Sequence, residues 1–119
     1  MIEGLELAEA CARAAEEKQA EDIVILDLRG ISTITDYFVI CSGTSLPHLK
    51  AVRREIADQI RTVYGDRPRT MDGEVESKWI VLDYGDVIVH VFHHEMRPVY
   101  SLEDLWSDAK RVEFSPQEA

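Results

Sequence analysis

The stretch Asp36-Tyr-Phe-Val-Ile-Cys-Ser-Gly-Thr-Ser45 runs from a strand pattern into the start of a helix. After Asp36, aromatic, β-branched and small side chains follow one another without a charge, which is typical of a strand buried on both faces. Gly43 ends this pattern. Ser45 can cap a helix, and Pro47 is tolerated in a first helical turn because its nitrogen needs no hydrogen bond there. We therefore predict a buried strand followed directly by a helix.

The helix after Ser45 has apolar residues at intervals of three and four, the spacing of a stripe that faces a core. These residues are Leu49, Val52, Ile56, Ile60 and Val63, and Gly65 is a suitable residue to end the helix. A second amphipathic helix is predicted between Leu5 and Gln19, with a narrower contact face rich in alanine. Its members are Leu5, Ala8, Cys11, Ala12 and Ala15.

Three further segments are predicted to be strands. The run Asp22-Ile-Val-Ile-Leu-Asp-Leu28 has the composition of a buried strand. The runs Trp79 to Tyr84 and Val87 to His93 flank the turn signal Gly85-Asp86, so they are predicted to pair as an antiparallel hairpin. The polar segment from Asp66 to Ser77 is predicted to be a loop, or a loop with one short strand.

The C-terminal part is predicted to hold one last helix. Ser101-Leu-Glu-Asp104 is similar to a capping box, and apolar residues follow it at helical spacing: Leu102, Leu105, Trp106 and Ala109. We predict a single domain over residues 1–112 and a flexible tail over 113–119. The order α-β-β-α-β-β-α predicts an α/β (α+β) fold with a single mixed β-sheet and packed helices. The strand order stays open at this stage.

Composition narrows the possible partners. Among the 119 residues, 13 are basic and 23 acidic, and the formal net charge of −10 disfavours direct nucleic-acid binding and favours a basic protein partner. No apolar run approaches the roughly 20 residues needed to span a bilayer, so no membrane contact is expected. Cys11 and Cys41 both lie in apolar patterns, which is typical of buried thiols in a reducing compartment, and we expect a cytoplasmic protein.

Two groups of residues have side chains or amides that could support chemistry. His90, His93, His94 and Glu95 are potential metal ligands, but histidines four apart on a strand lie about 13 Å apart and cannot share one ion unless the chain bends. The turn Gly43-Thr44-Ser45 could hold a phosphate, yet no pair of carboxylates follows it to bind catalytic metal ions. We therefore expect no catalytic residues, no metal and no cofactor.

The first hairpin strand carries a different kind of candidate site. Along it, Trp79, Val81 and Asp83 point to one face, while Ile80, Leu82 and Tyr84 point to the other. The combination of Trp79 and Tyr84 with Asp83 and Asp86 has the composition of an aromatic anchor with an acidic rim, as protein interfaces have. Trp79 as an ordinary core residue is an equally good interpretation.

Three motifs in the chain resemble the ribosomal silencing factor family, also called RsfS, YbeB or Iojap. They are Asp36 to Ser45, Trp79-Ile-Val-Leu-Asp-Tyr-Gly-Asp-Val-Ile-Val-His-Val-Phe92 and Arg97-Pro-Val-Tyr-Ser-Leu-Glu-Asp-Leu-Trp106. The resemblance implies a nucleotidyltransferase-like fold that lacks the catalytic carboxylates, and a homodimer in isolation. It also implies binding to ribosomal protein fourteen of the large subunit, which would block association with the small subunit and repress translation when nutrients are scarce.

The resemblance also implies which residues bind the ribosomal protein. These are Trp79, Val81, Leu82, Asp83, Tyr84 and Asp86, with His90 and Phe92 behind or beside them. Tyr100 and Trp106 are expected to hold the last helix against the sheet. Two alternatives stay open: a large-subunit assembly factor that uses the same surface, and a nucleotide-binding or nucleotidyltransferase enzyme with its site at Gly43-Thr44-Ser45.

Overall fold

The computed structural model describes residues 4–72 and 78–112. The helices are α1 (Gly4–Glu17), α2 (Leu46–Tyr64), α3 (Arg97–Tyr100) and α4 (Leu102–Leu105). The strands are β1 (Glu21–Asp27), β2 (Tyr37–Gly43), β3 (Thr70–Asp72), β4 (Trp79–Asp83), β5 (Val87–His93) and β6 (Lys110–Val112). The predicted α+β class with one mixed sheet is confirmed.

All six strands form one sheet in the order β3-β4-β5-β2-β1-β6. β2 and β5 pair in parallel at its centre, and every other neighbouring pair is antiparallel. Each residue of these two central strands is buried, as their uncharged sequences predict for strands covered on both faces. β4 and β5 form the predicted hairpin, with Trp79 opposite Phe92 and Val81 opposite His90.

One face of the sheet packs against α1 and α2. Small residues of α1, including Cys11, Ala12 and Ala15, bring that helix close to Val39 and Cys41 of β2. Of the predicted α2 stripe, Leu49, Val52, Ile56 and Ile60 are buried in the core, whereas Val63 is exposed and does not belong to it.

Burial raises the pKa of the Cys41 thiol to about 12. Both thiols are therefore held in the protonated, unreactive form, as expected for buried cysteines.

Local capping signals set both ends of α2. Ser45 is the N-cap, its hydroxyl oxygen accepts a hydrogen bond from the His48 amide at 3.2 Å, and Pro47 stands in the first turn. At the other end Gly65 has a φ of 71° and donates its amide to the Arg61 carbonyl. Glycine takes this left-handed conformation without steric cost. These two predictions from sequence are confirmed.

The second face of the sheet is covered by the C-terminal segment 96–109. Leu102 packs against Leu26, Phe38, Ile40 and Phe92, with Met96, Trp106 and Ala109 around them. Trp106 therefore does contact this face, through an edge-to-face arrangement with Phe38 at 5.9 Å between ring centroids.

The prediction of one last helix after Ser101 is correct in its start and wrong in its length: α4 begins at Leu102, but it is a single turn that does not include Trp106 and Ala109. Ser101 has a φ of 43°, and its hydroxyl donates a hydrogen bond to the Pro98 carbonyl instead of accepting one from an amide of the helix. Two single-turn helices therefore replace one long helix, and α4 ends at Leu105. The chain then continues into β6, where Lys110 to Val112 pair with the free edge of β1. This pairing joins segments that are far apart in the sequence, so local helix signals cannot predict it.

The loop predicted between Asp66 and Ser77 contains the short edge strand β3, which is one of the two options predicted for it. Its residues 73–77 lie outside the described residues, as does the predicted tail 113–119. Among the described residues, none of the helices is both long and apolar enough to cross a membrane.

We predict that Ser45→Ala lowers the free energy of unfolding by about 1 kcal/mol, because the His48 amide loses its cap acceptor. Urea denaturation followed by circular dichroism measures this change. Ser107→Ala, in an exposed turn, is the matched control and should leave the midpoint unchanged. Equal midpoints for the wild type and Ser45→Ala would contradict the capping role.

Candidate functional site

The hairpin divides the residues predicted to bind a partner between the two faces of the sheet. Trp79, Val81 and Asp83 lie on the second face, and each is half-buried. Because the C-terminal segment covers mainly β1, β2 and β5, this part of β4 is only partly covered. These three residues stay accessible to another molecule.

Leu82 and Tyr84 lie on the opposite face, which corrects their prediction as contact residues. Leu82 is fully buried and Tyr84 is 6% exposed, both in the core beneath α1 and α2. Successive side chains of a strand alternate between faces, so a partner on the Trp79 side cannot reach them. Burial also raises the pKa of the Tyr84 hydroxyl above its ordinary value.

Trp79 belongs to a cluster of stacked rings. Its indole lies 5.1 Å from Phe92 and 4.5 Å from Tyr100, measured between ring centroids, and Phe92 lies 5.7 Å from Tyr100. Phe92 is fully buried, so it lies behind the surface, which is one of the two positions predicted for it. The rings hold the indole in one position, which lowers the entropy that Trp79 would lose on binding.

His90 fixes the orientation of the same indole. The Trp79 Nε1–H group donates a hydrogen bond to His90 Nδ1 at 3.2 Å. Since an indole nitrogen can only donate, Nδ1 carries no proton and neutral His90 bears its proton on Nε2. Burial lowers the pKa of His90 to about 4, so this neutral tautomer prevails at neutral pH. His90 thus lies behind the surface, at 7% exposure.

Asp83 and Asp86 stabilise the hairpin turn. Asp83 Oδ1 accepts a hydrogen bond from the Gly85 amide at 2.8 Å, and Gly85 has a φ of 94°. Asp86 Oδ2 accepts from the Gly4 amide at 2.5 Å and so connects the turn to the start of α1. Both carboxylates remain half-buried at the turn end of the hairpin, four residues along β4 from Trp79, where they add negative charge.

Tyr100 is a surface residue. From the sequence it was expected only to hold the last helix against the sheet. Its side chain is 42% exposed and stacks on Trp79. The motif Arg97-Pro-Val-Tyr100 is visible in the sequence, but only the tertiary structure brings it beside β4. We call Trp79, Val81, Asp83 and Tyr100 the hairpin surface.

The C-terminal segment that carries Tyr100 is held by Arg97. This buried guanidinium donates to Ser42 Oγ at 2.9 Å and pairs with Glu103 at 3.2 Å. It forms part of the wall of an open cleft of about 570 Å³ that also includes Asp104 and Arg111. Because Arg97 already bonds within the protein, its main effect is to connect α3 and α4 to the end of β2.

At the turn predicted as an alternative nucleotide site, the amides of Thr44 and His48 donate hydrogen bonds within the protein. The Thr44 amide donates to His48 Nδ1 at 2.9 Å, and the His48 amide donates to Ser45. With Nδ1 as acceptor, His48 Nε2 carries the proton and donates to the Lys18 carbonyl at 2.6 Å. The imidazole therefore occupies the position over the helix start where a phosphate would have to bind.

The chain does bend at the end of β5, and it brings His93, His94 and Glu95 together. Their donor atoms lie within 4.8 Å of one another. However, His93 Nδ1 accepts a hydrogen bond from the Glu95 amide, and the Glu95 carboxylate lies 3.8 Å from the Lys78 ammonium group. An ion at this place would have to compete with both interactions.

A model of the family described as "Ribosomal silencing factor during starvation" matches residues 2–119. The chain belongs to this family. The ribosomal silencing factor RsfS of Bacillus subtilis is 48% identical over 98 residues, which cover 82% of each chain. This confirms the resemblance drawn from the three motifs.

Solved structures agree with the fold. A crystal structure of a Bacillus halodurans protein superposes with a TM-score of 0.79 at 35% identity, covering 93% of this chain and all of that one. A mouse protein named "Mitochondrial assembly of ribosomal large subunit protein 1" is 31% identical over 93 residues. That match covers 76% of this chain and 41% of the mouse protein.

We predict that acid destabilises the protein partly through His90. Its pKa is about 4 when folded and 6.5 in the unfolded chain, so between these values the unfolded state binds more protons. Stability is therefore lost as pH falls through this window, by about 3 kcal/mol at most. His90→Gln, whose amide oxygen can still accept the indole N–H, should show a smaller loss in urea denaturation.

The comparison uses the difference in unfolding free energy between about pH 7.5 and about pH 4.5 for each variant. His94→Gln is the matched control, because His94 is exposed and should keep the wild-type dependence. If His90→Gln and the wild type lose the same free energy over this range, the buried neutral histidine is not the cause.

Proposed function

We propose that this protein docks on the large ribosomal subunit through the hairpin surface and blocks the small subunit from joining. The observation that carries the proposal is the half-buried Trp79, held rigidly by Phe92, Tyr100 and His90 on the less covered side of the sheet. A preorganised tryptophan with a polar rim is the usual centre of a protein interface. Membership of the family of ribosomal silencing factors directs the proposal to the ribosome.

The partner we propose is ribosomal protein fourteen of the large subunit. Ribosomal proteins are generally basic, and the carboxylates of Asp83 and Asp86 lie at the turn end of the same hairpin that carries Trp79. Such charges raise the association rate and fix orientation more than they raise the final affinity. The chain as a whole is acidic, with a net charge of −10, which favours encounter with a basic protein.

The mechanism is steric occlusion without catalysis. A specific interface buries about 1,200–2,000 Å² in total. The folded domain measures 35 × 33 × 30 Å, so when bound at the joining face it would occupy space that the small subunit needs. When the concentration of the factor is about 100 times its dissociation constant, it makes association of the two subunits less favourable by about 2.7 kcal/mol. Translation is then repressed in the cytoplasm, and the free protein forms a homodimer, as the family resemblance implies.

A second function is favoured by one comparison. The name of the mouse relative refers to assembly of the large subunit, and an assembly factor could use the same hairpin surface. The two functions differ in their target. Silencing requires binding to mature subunits, whereas an assembly role requires preferential binding to precursor particles.

We predict that the wild-type protein keeps purified large and small subunits apart in sucrose-gradient sedimentation and co-sediments with the large subunit. Trp79→Ala should bind at least about thirtyfold more weakly, because a central interface tryptophan contributes about 2 kcal/mol or more. Trp106→Ala is the matched control, since it removes a ring from the same face but away from the hairpin surface.

Tyr100→Ala is a second test that keeps the β4–β5 hairpin intact, and we expect it to weaken binding as well. Circular dichroism should show that each variant is folded. Normal association of subunits in the presence of excess wild-type protein would refute occlusion. Undiminished binding by both Trp79→Ala and Tyr100→Ala would refute the hairpin surface as the docking site, but would not refute occlusion.

We also expect no increase in melting temperature when nucleoside triphosphates and magnesium are added. The Thr44 amide of the turn after β2 and the His48 amide of the first helical turn already donate to partners within the protein, so neither is free to hold a phosphate. A ligand at about 100 times its dissociation constant would add about 2.7 kcal/mol, or several degrees. Such a shift with any one nucleotide would support the alternative of a nucleotide-binding enzyme.

A further inference from the structure

The charges of this acidic chain are not evenly distributed over its surface. Helix α2 carries basic residues on its outward side at offsets of three, four and eleven from the first of them, and Arg67 follows just after the helix. Offsets of this kind place side chains on one side of a helix. We call this set the basic stripe: Lys50, Arg53, Arg54, Arg61 and Arg67.

Few carboxylates neutralise the basic stripe. Two shallow depressions run along it, and Asp58 is the acidic residue that lines both of them among the described residues. Asp58 lies 3.9 Å from Arg54 and 3.5 Å from Arg61, so one negative charge is shared between two guanidinium groups. Lys50 and Arg53 form no ion pair with any other described residue. Positive charge therefore remains in excess on this side of the helix.

The neighbouring acidic residues point elsewhere. Glu55 lies on the flank of α2 that faces α1, where it accepts a hydrogen bond from Gln59 at 2.7 Å and pairs with Lys18 at 3.9 Å. Gln59 also donates to Glu17 of α1 at 2.6 Å. These contacts engage the carboxylates of Glu17 and Glu55 between the two helices. Glu55 also lines a depression beside Lys50 and Arg54, but it forms no ion pair with either of them.

We propose that the basic stripe binds the phosphate backbone of ribosomal RNA. From Lys50 to Arg61 it extends about 16 Å along the helix, enough to follow several successive phosphates of one strand. Most of its members are arginines, whose planar guanidinium groups bind phosphate oxygens through two parallel hydrogen bonds. The proposal rests on the proposed function, because the large subunit is what supplies the RNA.

The basic stripe and the hairpin surface can act together. α2 packs on one face of the sheet, and Trp79 and Val81 lie on the other. The protein would thus contact a basic ribosomal protein with one side and RNA with the opposite side. The negative net charge predicts no nucleic-acid binding for the chain as a whole, whereas the local excess of positive charge on α2 supports it at this surface.

The test is the salt dependence of binding to purified large ribosomal subunits, measured between about 50 and about 200 mM KCl. Each lost phosphate contact lowers the slope of log affinity against log salt by somewhat less than one. The triple variant K50Q/R53Q/R54Q should therefore have a slope about two to three units smaller than the wild type. Glutamine keeps a good helix propensity at these positions.

The matched control R13Q/K110Q/R111Q removes the same charge from exposed residues elsewhere, and its slope should equal that of the wild type. An equal reduction in both triple variants would mean that net charge alone matters, and would overturn the proposal. So would an unchanged slope for K50Q/R53Q/R54Q. Trp79→Ala separates the two ideas: it should lower the affinity at every salt concentration and leave the slope unchanged.

If Trp79→Ala and Tyr100→Ala both bind normally while K50Q/R53Q/R54Q has a reduced salt slope, the hairpin surface is refuted and RNA binding by the basic stripe is supported. If instead Trp79→Ala and Tyr100→Ala bind more weakly and K50Q/R53Q/R54Q keeps the wild-type slope, the hairpin surface is supported and RNA binding by α2 is refuted.

Discussion

The alternation of side chains along the central strands is the constraint on which the rest of this structure depends. A strand presents every second residue to each face, and the two long helices cover only one face of the sheet. The other face carries rings as large as Phe38, Trp79 and Phe92, which cannot be left in water. A short C-terminal segment covers most of them, and the remainder forms the hairpin surface.

This division leaves a rigid aromatic group accessible on the face of the sheet that α1 and α2 do not cover. At the candidate phosphate site His48 Nδ1 accepts a hydrogen bond from the Thr44 amide, and at the candidate metal site His93 Nδ1 accepts one from the Glu95 amide. In contrast, Trp79 is preorganised by stacking and by its bond to His90, yet remains half-exposed. Rigid aromatic groups at a surface lose little entropy on binding, so they suit a factor that acts by occupying space.

The distribution of charge follows the same logic. The carboxylates of Asp83 and Asp86 stabilise the hairpin turn and at the same time make one end of the molecule acidic. Basic residues gather on the outer flank of α2, while the carboxylates of Glu17 and Glu55 are engaged by Gln59 and Lys18 between α1 and α2. A net charge summed over the chain hides this separation. Opposite sides of one small domain can therefore suit partners of opposite charge.

Local signals in the sequence determined much of the fold. The uncharged run before Gly43 predicts β2, Ser45 and Gly65 mark the ends of α2, and the turn at Gly85 predicts the hairpin. These signals work because they depend on neighbours within a few residues: a cap, a positive φ, a period of two or of 3.6. The period of two is also enough to place Trp79, Val81 and Asp83 on the same face of their strand.

Tertiary structure alone decided which face is open and what lies next to it. The sequence could not show that Leu82 and Tyr84 are buried, because that depends on which side of the sheet α1 and α2 occupy. Nor could it place Tyr100 on Trp79 or β6 beside β1, since these contacts join residues about 20 or more positions apart. Ser101 carries a helix-start signal and still adopts a left-handed conformation, because packing of Leu102 and pairing of β6 outweigh a weak local preference.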